Sequence, residues 1–255
     1  MKIFTEENYK PNSALIPPMM VIYGECGVGK STFCSQFQNP FFFDFERRTD
    51  HIKNIARDRD YGVSIDNYQS WNYFLQAVIE LKESKFKTII FDGVSRLQIF
   101  GWKMVGLKLN TIDPKGLAFG RGYSELYALF ASLMDATKNL QRNYNKTIIF
   151  TDHEKLKEDQ ENNQYQKYVP ECQNGILKIL VKEVDYILRM IDDVTINHSK
   201  KAKEKNIEFN GITLLTNRQK YPSSMLKTSL NLPSKINASY DDFAQAYKQA
   251  QNQTT

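Results

Sequence analysis

Cysteine is scarce in this chain. There are three, Cys26, Cys34 and Cys172, and no two form a C-x-x-C pair. That excludes a disulfide framework and a zinc ribbon, and it leads to the expectation of a reducing, cytoplasmic setting. Long apolar runs are missing too: no stretch reaches the roughly 20 residues that span a bilayer, so no membrane partner is expected. The first twelve residues are polar and lack the core of a signal peptide. No internal repeat is visible, which excludes a solenoid. Neither sign of charge dominates. Lys and Arg number 34 against 29 Asp and Glu, a net charge of +5. Such mild basicity is compatible with nucleic-acid contact without demanding it. Much of the excess lies in Lys200, Lys201, Lys203 and Lys205, a run that reads as a solvated loop. What remains is ordinary: 41% hydrophobic and 25% charged residues in a chain of 255, enough for one large α/β domain with a real core.

The informative stretch is Gly24-Glu25-Cys26-Gly27-Val28-Gly29-Lys30-Ser31, followed by Thr32. It has the G-x-x-x-x-G-K-S pattern of a P-loop. The apolar run Met19–Tyr23 before it predicts a buried strand, and Ser31–Gln38 after it predicts a helix. The glycines let the backbone wrap tightly, so that successive N–H groups point at phosphate oxygens. The helix start near Lys30 adds the positive end of its dipole. Residues Gly24 to Thr32 are therefore the expected nucleotide-binding set, with Lys30 reaching the β- and γ-phosphates and the Ser31 hydroxyl placed on Mg²⁺.

Taken in order, residues 1–17 read as a lead-in, 18–237 as one nucleotide-binding domain, and 238–255 as a final helix and tail. Asn39-Pro40 is a break, and Phe41 to Glu46 is an apolar strand closing on two acids. Gly62–Ile65 predicts a short strand. Asp66 or Asn67 is expected to cap a helix over 68–83. Lys87–Asp92 is a strand ending in an acid, the Walker B form, so Asp92 is expected to hold the Mg²⁺ shell. Residues 94–109 read as one or two helices, 110–122 as a Gly-rich loop, 124–144 as an amphipathic helix, and 146–153 as another buried strand. A mobile loop or short hairpin is expected over 154–174 and a helix over 176–182. Two further strands, 186–191 and 212–216, come next, with a hairpin extension if Ile207–Phe209 also pairs. Residues 231–237 read as irregular, and 240–250 as the last helix.

The P-loop, the strand ending Phe43-Asp44-Phe45-Glu46, Asp92, and the strand ending Thr151-Asp152-His153 follow one another in an order that resembles the RecA-like branch of P-loop ATPases. In particular it is similar to the compact RecA-like proteins of bacteriophages and prophages, some of which act in single-strand annealing and recombination. The resemblance covers about residues 18 to 235. It implies an α/β fold: a largely parallel central sheet flanked by helices, with a small C-terminal β extension. ATP and Mg²⁺ are the implied cofactors. It implies catalytic roles for Lys30, for Glu46 as the residue that polarises the attacking water, and for His153 as a sensor of the γ-phosphate. It also implies single-stranded DNA as a partner, with a single-strand-binding or other replication or recombination protein and a homo-oligomer as further possibilities, in the cytoplasm of a bacterial host.

By the same resemblance, residues 101–122 and 154–174 correspond to DNA-facing loops. The first offers Trp102, Lys103, Lys108, Lys115 and Arg121; the second offers Lys155, Lys157, Tyr165, Lys167 and Tyr168. Acids Glu154, Glu158, Asp159 and Glu161 in the second loop oppose that role. Lys227, Lys220 and Arg218 are candidates for a basic group donated across a subunit interface, although the Arg that relatives carry after the Lys is missing. Two rival readings stay open. One is a nucleotide-dependent switch or loader that recruits a protein. The other is a small-molecule kinase, disfavoured because the candidate lid, 154–163, has no Arg.

Overall fold

The computed structural model describes residues 17–61, 70–158, 166–198 and 205–253. Its strands are β1 (Met19–Gly24), β2 (Pro40–Asp44), β3 (Ala56–Arg57), β4 (Thr88–Asp92), β5 (Thr147–Glu158), β6 (Gln166–Pro170), β7 (Tyr186–His198), β8 (Lys205–Leu215) and β9 (Lys235–Asn237). Its helices are α1 (Lys30–Cys34), α2 (Trp71–Glu80), α3 (Val94–Leu109), α4 (Arg121–Tyr144), α5 (Asn174–Glu183) and α6 (Tyr240–Asn252). The strands form one sheet in the order β3-β2-β4-β5-β1-β7-β8-β9, and β6 pairs with the outer part of β5. From β3 to β7 neighbours are parallel; β8 and β9 run antiparallel.

The continuous apolar runs suit strands covered on both faces. Alternate residues divide between two core layers. Met19, Val21 and Tyr23 of β1 face α2, α3, α4 and α5 together with Phe43, Phe91 and Phe150. Met20 and Ile22 face α1 and α6 together with Phe33 and Phe243. The rings of Phe43, Phe91 and Phe150 stack across three neighbouring strands, with centroids 5.1 and 4.9 Å apart. That ladder fixes the lateral register of β2, β4 and β5, and with it the level at which each strand ends.

The sequence misplaces several boundaries. The helix after the P-loop stops at Cys34 instead of Gln38. Gln36 and Phe37 make three-residue turns back to Phe33 and Cys34. Asn39 then takes φ 43° before Pro40, where the helical region is disfavoured. Helix α2 starts at Trp71, not near residue 68, because the Ser70 side chain accepts from the Tyr73 N–H as N-cap. The strand expected over 62–65 and the caps Asp66 and Asn67 lie outside the described residues. An unexpected short strand, β3, flanks β2. The region 231–237, read as irregular, contains β9 on the edge of β8. The β extension is not small: β7 and β8 form a hairpin of 13 and 11 residues, in which 207–209 pair as well. Helix α6 is capped by Ser239, has Asp241 and Asp242 in its first turn, and buries Phe243 in the same core as α1. Among the described residues no helix is long and apolar enough to cross a membrane.

Candidate active site

The parallel strands β1, β2, β4 and β5 all end at one rim of the sheet, the edge where open α/β sheets bind ligands. β1 stops at Gly24 and the chain turns through residues 25–29 into α1. Gly27 and Gly29 hold φ of 85° and 95°, a left-handed backbone that side chains rarely adopt. Gly29 is the N-cap of α1, and no side chain occupies that cap. The first-turn N–H groups of α1 are thus left for an anion. Within the loop, Glu25, Cys26 and Gly27 are exposed, whereas Val28 is anchored in the core beneath.

Lys30 is only 7% exposed. Its Nζ donates to the carbonyls of Gly24 (3.0 Å) and Glu25 (2.7 Å), so the loop itself holds the ammonium in place. Burial pulls its pKa down, and the carboxylates of Glu46 and Asp92 pull it back up. Next in the chain, the Ser31 hydroxyl donates to Asp92 Oδ2 at 2.8 Å. Asp92 ends β4 and is 3% exposed; its other oxygen accepts from the Thr151 hydroxyl. Burial pushes the Asp92 carboxyl upward, and the bonds from Thr151 and Ser31 oppose the shift.

Glu46 lies two residues beyond β2, with its N–H on the Asp92 carbonyl at 3.1 Å. Its Oε1 meets His153 Nε2 at 2.9 Å. This bond holds Glu46 below the usual carboxylate range and raises His153 above the usual imidazole value. Gly93 makes room for it: a Cβ there would sit 2.8 Å from Glu46 Oε1. His153 pairs in register with Gly24, the first residue of the P-loop, and its buried Nδ1 has no hydrogen-bond partner among the described residues. Lys30, Ser31, Asp92, Glu46 and His153, far apart in sequence, therefore meet around one loop.

Thr151 is the side chain that reading the sequence passes over. It stands beside Asp92 in the β4–β5 register, and that pairing of strand ends was the available signal. Asp152, which looks like a rim acid, is turned away from this cluster. It accepts from the Ser95 N–H and hydroxyl (3.1 and 2.7 Å) and from the Cys172 N–H (2.8 Å), tying α3 and the segment before α5 to β5.

Several residues expected in DNA-facing loops do other work. Residues 101–109 are helical, and Trp102 is 7% exposed, edge-on to Tyr123. Lys108 pairs with Glu125 at 2.6 Å, and Lys115 lies over the Trp102 ring. In the β5–β6 hairpin, Tyr168 lies under the Arg189 guanidinium, which also clamps Glu154. Lys155 donates to the carbonyls of Glu171 and Cys172. Tyr165, Asp159 and Glu161 lie outside the described residues. Lys227 caps the end of α5, donating to the carbonyls of Val181 and Val184 within its own chain. Lys103, Ile112, Phe119 and Arg121 are exposed around the α3–α4 loop, as are Lys108 and Lys115.

A family model described as an AAA domain matches residues 16–220, a span that contains every side chain of this cluster. No curated protein matches the chain.

Proposed function

The chain belongs to the AAA-domain family of P-loop NTPases, and from that premise we propose that it is a Mg²⁺-dependent ATPase coupled to single-stranded DNA. One observation supports this reading above the others: a buried lysine, a hydroxyl–carboxylate pair and a glutamate converge on one phosphate-binding loop. Ser31 Oγ and the Asp92 carboxylate are hard oxygen donors of the kind Mg²⁺ takes, with phosphates and water completing its shell. The ion would supply charge neutralisation to the phosphates.

The protein's own groups do the rest. Backbone N–H groups of the P-loop and α1 bind the phosphates. Lys30 leaves its two loop carbonyls for the β/γ oxygens and stabilises the charge that gathers there. Glu46 accepts a proton from the water that attacks the γ-phosphorus, and the P–O bond to the β-phosphate breaks, releasing ADP and phosphate. While His153 holds Glu46, the carboxylate is a weaker base, so turnover is slow. His153 stands where β5 leaves the sheet for the β5–β6 hairpin, with its carbonyl bonded to the Glu171 N–H at 2.8 Å.

The DNA contact we assign is the α3–α4 loop. Phe119 there is fully exposed, Ile112 likewise, with Lys103 and Arg121 around them. Exposed aromatics stack on bases while cations meet phosphates. The test is ATP hydrolysis with and without single-stranded DNA, using Lys30→Ala as the blank. Stimulation of severalfold or more, absent in the blank and reduced in Phe119→Ala, is the expected result. Hydrolysis that DNA leaves unmoved would remove DNA from the proposal. A second reading, a switch that holds ATP in order to recruit a protein, draws on the same held glutamate. Capture of one partner with ATP but not with ADP would favour it.

A further inference from the structure

We propose that the β7–β8 hairpin carries the nucleobase platform of this site, with Val194 and Phe209 packing on the base of the nucleotide whose phosphates lie on the P-loop. The inference rests on the nucleotide-binding reading and adds the subsite that reading leaves open.

The first step is direction. Every group suited to the γ-phosphate end stands on one side of β1: Glu46 beyond β2, Asp92 on β4, Thr151 and His153 on β5. A triphosphate with its γ end there runs across the loop, so its nucleoside emerges on the other side of β1. That side belongs to β7 and β8.

The second step is reach. β1 ends at Gly24, opposite Met190, but β7 continues eight residues further, to His198. At about 3.3 Å per residue the hairpin overhangs the P-loop by roughly 26 Å. Its base already touches the loop: a Cβ on Gly29 would lie 3.5 Å from Ile212 Cδ1.

The third step is the face presented. Met190 and Ile212 belong to the core layer on the α1 side. Alternation along β7 places Asp192 and then Val194 on that same side. Phe209 is the cross-strand partner of Val194, immediately past the bulge at Asp193 and Val194. Gly211 at φ 126° and the Asn210-to-Thr195 side-chain bond of 2.7 Å hold this bulge. Bulges bend and twist a hairpin, which re-aims the residues beyond them. The paired Val194 and Phe209 are 43% and 61% exposed. An exposed aromatic beside a β-branched residue, one step beyond a P-loop contact and on the nucleoside side of it, suits the flat apolar face of a base.

The test compares Mg·ATP with Mg·tripolyphosphate, which has the phosphates and no base, binding to the full chain by calorimetry. For Phe209→Ala we expect ATP to bind about tenfold more weakly while tripolyphosphate binds as in the wild type. Phe209→Trp should restore ATP affinity, and its fluorescence should be quenched by ATP but not by tripolyphosphate. Unchanged ATP affinity in Phe209→Ala would overturn the platform. So would an equal loss for both ligands, which would mean that the hairpin only props the loop. A change in molecular mass with ATP affinity intact would assign the face to a second copy of the chain and overturn it too. A wild type that binds neither Mg·ATP nor Mg·tripolyphosphate would instead bring down the nucleotide reading itself.

Discussion

The two sides of β1 are built differently. On the β5 side, strand ends are interlocked: Ser31 to Asp92, Asp92 to Thr151, Glu46 to His153, and the Glu46 N–H to the Asp92 carbonyl. Those groups stand at or just beyond the ends of parallel strands packed on both faces, with Ser31 in the first turn of α1. On the β7 side, a long antiparallel hairpin runs out past the sheet and exposes Val194 and Phe209. On the proposals made above, the contrast separates two tasks. Chemistry needs groups held to a fraction of an ångström, which buried strand ends supply. Gripping a base needs area and adaptability, which an overhanging arm supplies.

The comparison can be broken from the rim side first. Lys30→Ala should lower turnover by at least about a hundredfold, because it removes charge from the phosphates. It should also weaken ATP and tripolyphosphate alike, in contrast to the base-selective loss expected for Phe209→Ala. Calorimetry with both ligands checks this, and a loss confined to ATP would erase the distinction between the two sides. Next in size is Thr151→Val, which strips a donor from a buried carboxylate and should cost about 1–3 kcal/mol of stability. Urea unfolding measures it; an unchanged midpoint would show that Asp92 does not depend on Thr151.

Other rim residues, unlike Thr151, were legible in the sequence for a physical reason. Asp92 and His153 sit at the ends of apolar runs, and in a parallel sheet such ends converge on one edge, so the order of motifs forecasts who meets whom. Glu46 was legible in the same way. The mutual grip of Glu46 and His153 was not, because it depends on Gly93 leaving space between two strands that are distant in sequence. The arm was hardest to read. Its length is set by how far the consecutive strands 186–198 and 205–215 go on pairing past the sheet, beyond the 186–191 and 212–216 runs that the apolar pattern marks. Trp102 and Tyr168 misled because an aromatic among lysines looks like a DNA contact until the helix that buries Trp102 and the guanidinium that covers the Tyr168 ring are known.

Titration sharpens the comparison further. His153 should titrate above its ordinary value in the wild type and fall back in Glu46→Gln, since the bond to Glu46 is the main cause of its shift. The stability that His153 contributes is fully present below its unfolded pKa and fades as pH rises through its raised folded pKa. The contribution of Glu46 is present above its unfolded pKa and is lost as pH falls through its lowered folded value. The stability difference between wild type and Glu46→Gln should therefore be greatest in the window between. Imidazole NMR and thermal unfolding across pH test this; a His153 titration indifferent to residue 46 would dissolve the pair. The smallest effect is at Cys26, the exposed thiol, since Cys34 and Cys172 are buried. Saturating Mg·ATP should slow its alkylation severalfold. Alkylation at the free rate under saturation would place the nucleotide away from the outer turn of the loop.

The most direct measurement is single-turnover hydrolysis of Mg·ATP by wild type and Glu46→Gln, with ATP affinity measured on the same samples. The expected result is affinity retained within a few fold and a hydrolysis rate lower by about 10² to 10⁴. A Glu46→Gln protein that hydrolyses at the wild-type rate would contradict the assignment of Glu46 as base, and with it the account of the rim as a catalytic site.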